Sequence, residues 1–315
     1  MSVPAVSVVI AARDAAATLP AALCALAGQE RVPAFEVLVV DDGSTDTTAR
    51  IAAVHPVVTA LLTSEGKGPG AARNLGVAAA RAPVVAFTDA DCAPAPGWLA
   101  AGLTALADGA DVVQGRVEPA GPSGPWDRTV SVDGPSPLFE TANLFVNADL
   151  FRTVGGFEPW LRPRRSKELG EDVWLGWRLR RRGARVAFAP NALVHHAVFP
   201  RSPRAFVAER ARVRFFPPMV RRIPELRVEL LWRGWFLNRR QACFDLALLA
   251  TLTAKASGRP APLVLAAPYA HELWRSARGA GRRRAPAVAA VHLAADAVAA
   301  GALALGSLCA RTPVA

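Results

Sequence analysis

Cysteine is scarce: the 315-residue chain has 4, at positions 24, 92, 243 and 309, and no two form a CxxC or another metal-ligand spacing. That excludes a disulfide scaffold and a zinc module and makes a reducing compartment the expectation. Charge is also modest, 20% of residues against 52% hydrophobic, so a disordered or fibrous chain is excluded. No basic n-region precedes Val6–Ile10, and that apolar run is too short for an h-region, so no signal peptide is expected. The sequence has no internal repeat, no P-loop ending in Gly-Lys-Ser/Thr and no GxGxxG fingerprint. A pI near 10.9 raises nucleic-acid binding, but no recognition motif supports it.

What is present divides in two. Residues 1–160 hold 9 Lys+Arg against 17 Asp+Glu, a net of −8; residues 161–315 hold 28 against 9, a net of +19. A basic half fits nucleic acid, a phosphorylated ligand or an anionic membrane surface, and an acidic half with clustered aspartates points to a metal site. At about 150 residues per domain the length allows two domains, or one α/β domain with extensions.

Through the first 115 residues, short β-branched runs alternate with Ala/Leu-rich stretches. Val6–Ile10, Phe35–Val40, Val57–Leu62 and Val84–Phe87 are predicted as strands, and residues 15–29, 46–54, 71–81 and 98–107 as helices. This order argues for a mainly parallel sheet flanked by helices, with ligands beyond the carboxyl ends of its strands. Asp41-Asp42 and Asp89/Asp91 fall at such ends. Residues 119–137, rich in Pro, Gly and Ser, read as a mobile loop and Phe139–Val146 as a strand. Gly155-Gly156-Phe157 reads as a tight turn, and residues 171–182 as a helix closed by Gly183. Arg185–Ala189 is a predicted strand, and another ends at Val194-His195-His196. Beyond residue 200 the chain becomes a basic and apolar helical extension. Residues 242–254, 262–270 and 285–310 are apolar, and 275–284 is strongly basic. The last apolar run has spanning length, but His292 and Asp296 interrupt one face of it. Interfacial helices or a shallow hairpin are therefore expected in preference to a clean span.

Five constellations can carry chemistry. Asp89-Ala90-Asp91 at a strand end can present oxygens to a hard divalent cation, Mg²⁺ or Mn²⁺; alone, such a pair is as often a solvated turn. Asp42 can accept the N–H of a uracil-type base, although the turn that follows also explains an acid there. Gly68-Pro69-Gly70, followed by Arg73 on a helix, can approach a diphosphate, or can be a surface loop with an exposed arginine. Glu171-Asp172 can supply a carboxylate that takes a hydroxyl proton, or can merely match the helix dipole. His195 or His196 can complete a metal site begun by Asp91; neighbours on a strand face opposite ways, so the pair stays open at this point.

Six stretches occur in order: Val6–Ile10, Val39–Asp46, Gly70–Gly76, Phe87–Asp91, Val154–Phe157 and Gly170-Glu171-Asp172 before a basic helix. Together they resemble family 2 glycosyltransferases of the GT-A fold over about residues 5–200. The resemblance implies an α/β, Rossmann-like GT-A domain over 1–200, its nucleotide-sugar half about 1–115 and its acceptor half about 116–200; no family motif extends past it, and arginines beside Trp and apolar runs make 201–315 an expected membrane-associated helical extension. The resemblance also implies an inverting enzyme that moves a sugar from a nucleotide-diphospho-sugar, a UDP-sugar being favoured, to an acceptor hydroxyl; docking of the extension on the membrane makes a glycan or lipid-linked acceptor in cell-envelope synthesis the expectation. A divalent metal, Mn²⁺ or Mg²⁺, is implied with it. Carried over residue by residue, Asp42 would bind the base, Arg73 and Gly70 would lie by the nucleotide, and Asp89 and Asp91 would bind ribose and metal, Asp91 directly. Asp172 would be the base with Glu171 beside it, and His196 the late metal-linked histidine, with His195 in reserve. Where the family has Pro-x-Tyr-Asn after its first strand, this chain has Ala11-Ala12-Arg13-Asp14, so Arg13 would replace the aromatic contact to the nucleotide.

The expected location is the cytoplasmic face of the cell membrane, otherwise the cytoplasm, with no nucleic-acid partner. The competing expectation is a non-catalytic membrane adaptor on the same fold. A nucleotide-sugar pyrophosphorylase is disfavoured because its Gly-rich, Arg-containing loop is missing after Ile10.

Overall fold

The computed structural model describes residues 3–160 and 169–315. Met1 and Ser2, part of the opening read as leaderless, and the basic residues within 161–168 lie outside the described residues. The chain forms two compact units, one of residues 1–122 with 129–198 and one of residues 123–128 with 199–315.

The first unit runs β1 (Val6–Ala12), α1 (Leu19–Ala27), β2 (Phe35–Asp41), α2 (Thr48–Val54), β3 (Ala60–Thr63), α3 (Pro69–Ala79), β4 (Val84–Asp89), β5 (Cys92–Pro94), α4 (Trp98–Ala107), β6 (Val112–Pro119), β7 (Asn143–Asn147), α5 (Ala148–Thr153), α6 (Glu171–Arg181) and β8 (Val186–His196). One eight-stranded sheet has the order β3-β2-β1-β4-β7-β6-β8-β5. β3, β2, β1 and β4 pair in parallel, as the βαβ alternation requires. β7 enters antiparallel between β4 and β6, and β5 closes the far edge antiparallel to β8. The fold is thus the expected α/β GT-A architecture, mixed rather than purely parallel.

Burial explains the central strands. Val6, Val8, Val9 and Ile10 of β1 are all fully buried, because helices cover both faces and a near-continuous apolar run is what such a strand needs. Each such side chain contributes about 1.5–3 kcal/mol relative to exposure. α1 turns Leu19, Ala22, Leu23 and Leu26 inward at helical spacing.

Two buried polar knots fix the register. Asn143 of β7 accepts from Trp98 Nε1 at 2.8 Å and donates to the carbonyls of Arg116 at 2.8 Å and Ala192 at 2.7 Å. It occupies the irregularity between Gly115 and Arg116 in the β6/β8 ladder, where a Cβ on Gly115 would come within 2.2 Å of the Asn143 amide. The second knot is Glu36, which accepts from Ser7 Oγ at 2.6 Å, Arg81 N at 2.7 Å and Arg81 Nε at 2.7 Å. Burial pushes this carboxyl up, but the Ser7 and Arg81 donors outweigh it and hold it below the usual glutamate value. A carboxylate with a depressed native pKa stabilises the fold above its unfolded pKa, and that contribution is lost as pH falls through the native value. Glu36→Gln should therefore lower the melting temperature at pH 7, with the difference from wild type shrinking below about pH 4. A constant difference across pH 3–7 would contradict this account.

The second unit contains α7 (Pro203–Glu209), a 3-10 turn at 210–215, α8 (Phe216–Arg222), α9 (Leu226–Glu229), α10 (Arg239–Ser257), a 3-10 turn at 261–266, α11 (Ala267–Ala277) and α12 (Ala285–Ala310). Ser202 caps α7 and Asn238 caps α10 with side-chain oxygens. α12 is long and apolar enough to cross a membrane, by length and composition only.

Candidate active site

The carboxyl ends of β2, β1 and β4 lie side by side. Ala12 of β1 is in register with Asp41, and Ala11 with Asp89, so the two acidic turns flank the end of β1 within about 10 Å of each other. Arg13 continues from that end; it is exposed, and its Nη1 would lie 3.4 Å from a Cβ placed on Gly66.

Asp42 is buried and turned inward. Its Oδ1 accepts from Ser64 Oγ at 2.7 Å and Lys67 N at 3.0 Å, and its Oδ2 accepts from Gly68 N at 3.0 Å. The carboxylate therefore anchors the 64–68 loop opposite Arg13. Just beyond, Pro69 starts α3, Gly70 is buried in its first turn, and Arg73 points into the unit.

Arg73 is the hub. It is buried; its Nη2 lies 2.7 Å from Asp89 Oδ1 and its Nη1 3.7 Å from Glu171 Oε1, while Phe157 lies 5.6 Å beneath the guanidinium carbon. Burial opposes the charge, but Asp89, Glu171 and Asp172 outweigh it and hold the guanidinium ionised more firmly than usual. The motif around it is structural as well. Asn74 clasps Phe157 through two bonds of 2.8 Å, and Arg178 donates to the carbonyls of Val154 and Gly156, so the Gly-Gly-Phe turn delivers the ring to Arg73.

Glu171 and Asp172 open α6 at Gly170, where two acids suit the positive end of the helix dipole. The Asp172 carboxyl is nevertheless pushed well above the usual aspartate range, by burial first and then by Glu171 and Glu140, against opposing effects of the Val173 N–H and Arg73. A carboxyl poised upward in this way is a stronger proton acceptor than a solvated aspartate.

On the other side of Asp89 stands a second cluster. Asp91, Cys92 and His196 place one ligand atom each within 4.8 Å of one another. Cross-strand pairing of Cys92 with His196 brings His196 beside Asp91, with Nε2 to Oδ1 at 3.6 Å. His195 pairs with Ala93 and belongs to the opposite face. His196 Nδ1 lies 2.7 Å from the Ala197 carbonyl, which can only accept, so Nδ1 carries the proton. Nε2 is then the ring nitrogen that faces the carboxylate, the orientation a metal-ligating histidine takes when its other nitrogen is fixed by a carbonyl. Burial, Asp89 and Asp91 together push the Cys92 thiol up, so it is a poor thiolate donor. Carboxylate and imidazole remain, a donor set that fits Mn²⁺ or Mg²⁺ better than a thiolate-seeking metal. Asp89, also expected at the ribose and metal, gives its Oδ1 to Arg73.

The sequence reading passes over Glu140. It assigns Phe139–Val146 to a strand, whereas β7 starts at Asn143 because Phe139 takes a left-handed conformation (φ 53°). Phe139 packs where Gly176 of α6 leaves room: a Cβ there would be 2.0 Å from the ring. Glu140 then accepts from Ser136 Oγ at 2.9 Å, and burial pushes its carboxyl up; among the described residues its Oε2 has no hydrogen-bond partner. A left-handed aromatic residue leaves no periodicity to detect, so only its odd place inside a predicted strand could have marked it.

The fold is the one that solved GT-A structures share. The fold is similar to that of the mannosyltransferase PcManGT of Pyrobaculum calidifontis, solved in complex with GDP-Man and Mn²⁺, with a TM-score of 0.55 and 21% identity over a match that covers 96% of this chain and 87% of that one. The sequence model described as glycosyl transferase family 2 matches residues 7–162. The glycosyltransferase AglE of Haloferax volcanii is 31% identical over 215 residues, 63% of this chain and 69% of that protein. The pre-mycofactocin glycosyltransferase of Mycobacterium tuberculosis is 32% identical over 211 residues, 61% of this chain but 42% of that protein. The chain belongs to glycosyl transferase family 2 and is a glycosyltransferase enzyme.

Proposed function

We propose that the enzyme is an inverting, metal-dependent transferase that moves a sugar from a nucleotide-diphospho-sugar to an acceptor hydroxyl of a glycan or lipid-linked substrate in cell-envelope synthesis. The observation that carries this reading is the Arg73 hub, which gathers Asp89, Glu171 and Asp172 at the sheet end that also bears Asp91 and His196. One guanidinium among so many carboxylates leaves the cleft acidic, a setting that favours a divalent cation and a diphosphate together.

In this reading residues 1–115 bind the donor and residues 116–200 the acceptor. Ala11, Arg13, Gly70 and the loop held by Asp42 bound the nucleotide. Asp42 contributes by shaping that loop and by whatever acceptor capacity three chain donors leave it for a base N–H. The cation site would use Asp91 and His196, with Asp89 oriented by Arg73 toward the ribose side. When bound, the ion supplies positive charge to the departing diphosphate. Asp172 takes the proton of the acceptor hydroxyl as its oxygen attacks the anomeric carbon from the face opposite the diphosphate, and Glu171 and Glu140 keep that carboxyl a strong acceptor. A UDP-sugar is favoured. GDP-Man in the Pyrobaculum relative makes a guanine donor the direct competitor, and a thermal-shift series of nucleotide-sugars with Mn²⁺ separates the two.

Asp91→Ala and His196→Ala should each lose the Mn²⁺-dependent part of nucleotide binding in a UDP titration. Loss of a group that merely hydrogen-bonds a metal ligand already costs about 10–100-fold in metal affinity, and loss of a ligand should cost no less. An unchanged titration would remove the assignment. Donor hydrolysis in the presence of Mn²⁺ separates this reading from a non-catalytic adaptor, which would show none. The basic second unit docks, in the same reading, on the anionic cytoplasmic leaflet; full-length protein found wholly in the soluble fraction at low salt would overturn that part.

A further inference from the structure

Composition nominates α12 as the membrane element, yet the fold spends its polar residues inside the second unit. Asp296 of α12 accepts from Arg240 Nε at 2.8 Å and Tyr269 OH at 2.7 Å, and His292 stacks edge-on with Phe206 at 5.3 Å. Val288, Ala295, Ala299 and Leu303 are buried at helical spacing, and α12 packs against α7, α8, α11 and the 210–215 turn. Its outer face is alanine and glycine with three exposed leucines, Leu293, Leu305 and Leu308, spread over about four turns.

The large exposed apolar side chains of this unit concentrate elsewhere. The base of α10 is held by Arg240, by Gln241 and by a cluster of Phe244, Ala247 and Tyr269. Its last buried residue is Ala250, and the remaining seven residues to Ser257 project about 10 Å further. Leu248, Leu249 and Leu252, spaced i, i+1, i+4, form one exposed stripe; Leu263, Val264 and Leu265 are exposed on the 3-10 turn that folds back along α10. Leu249 is 62% exposed and Val264 73%. The hydroxyls at this end donate back into the helix: Thr251, Thr253 and Ser257 to the carbonyls of Ala247, Leu249 and Thr253 at 2.8, 2.9 and 2.8 Å. Lys255 and Arg259 flank the turn at Gly258, and Trp274 on α11 is exposed beneath Arg278.

Building on the membrane-docking reading above, we propose that the hairpin formed by α10 and the 261–266 turn, not α12, is the element that enters the membrane. It lies in the interface of an anionic leaflet with its leucines among the upper acyl chains. Lys255 and Arg259 extend their aliphatic stems across the apolar face and place their charges at lipid phosphates. Self-satisfied hydroxyls between exposed leucines suit a layer poor in water, and the cationic rim selects anionic headgroups over another apolar protein surface.

Flotation of the full-length protein with phosphatidylglycerol/phosphatidylcholine vesicles tests this. Leu249→Glu/Leu252→Glu and Val264→Glu, all at exposed positions, should each lower partitioning by about tenfold or more. Leu305→Glu/Leu308→Glu on the outer face of α12 should leave it near wild type. Donor hydrolysis in solution should stay unchanged in all of them. Wild-type protein that fails to float sinks the docking reading as a whole. Wild-type flotation with hairpin variants that float equally, or with loss only in the α12 variant, sinks the hairpin alone. Light scattering that shows a dimer abolished by the hairpin variants, without flotation, would make the surface a self-association interface and overturn the proposal.

Discussion

Asp172→Asn is expected to abolish transfer, by about 10²–10⁴-fold in kcat, while nucleotide-sugar binding with Mn²⁺ stays within a few-fold of wild type. Asparagine keeps the shape and the N-terminal position on α6 but cannot take a proton. The same substitution should stabilise the protein. The native carboxyl binds its proton more tightly than the unfolded chain does, because it is half-buried and desolvated beside Glu171 and Glu140. Raising the pH from the unfolded aspartate value through the native one therefore removes a proton the native state prefers to keep, and stability falls across that window. Asparagine removes this cost, so the melting temperature of the variant should exceed wild type at pH 7–8 and converge with it near pH 4. This is the signature of a group kept for function at the expense of stability. Turnover within tenfold of wild type would remove the base assignment; equal melting at both pH values would remove the account of its environment.

The part of this site legible in the sequence is the part carried by strand ends. A buried β-branched run followed by acids, as in Val39–Asp42 and Val84–Asp91, places those acids at one edge of a parallel sheet whatever else the chain does. The helix-flanked parallel sheet was readable for the same reason, and the resemblance of six ordered motifs added the GT-A expectation. β5 and β6 were not: Cys92–Pro94 is three residues long, and Val112–Pro119 carries Gln, Gly, Arg, Glu and Pro, because its irregular pairing to β8 is filled by Asn143 instead of by alternating apolar side chains. Two predicted strands, Arg185–Ala189 and the run ending at His196, are one strand in the structure, which continues through Pro190 and Asn191.

Side-chain direction was the other gap. Asp42, Arg73 and Asp89 are at the expected positions, but the sequence could not say that Asp42 faces its own loop or that Arg73 turns inward to Asp89 and Glu171. Both depend on contacts between residues far apart in the chain. The His195/His196 alternative behaves differently: it depends on strand parity, which one cross-strand pair, Cys92 with His196, is enough to assign.

Arg73→Met is expected to be the most damaging substitution for stability. The guanidinium is buried against Asp89 and Glu171 and rests on Phe157. Methionine would fill much of the volume but leave two acids facing each other without a counter-charge, a change that costs about 3–5 kcal/mol when a buried ion pair loses one partner. Arg73→Lys should recover little of this, because a single ammonium cannot divide its donors between Asp89 and Glu171 as the planar fork does. The deficit should depend on pH in a definite direction. Without Arg73 the clustered acids bind protons more tightly in the native state than in the unfolded chain, so the loss is greatest at pH 8 and shrinks toward pH 5. Thermal melts across that range measure it. A deficit independent of pH would mean that Arg73 acts through packing on Phe157 alone, and the Arg73 hub would then lose its place as the feature that holds the donor and acceptor sides of the cleft together.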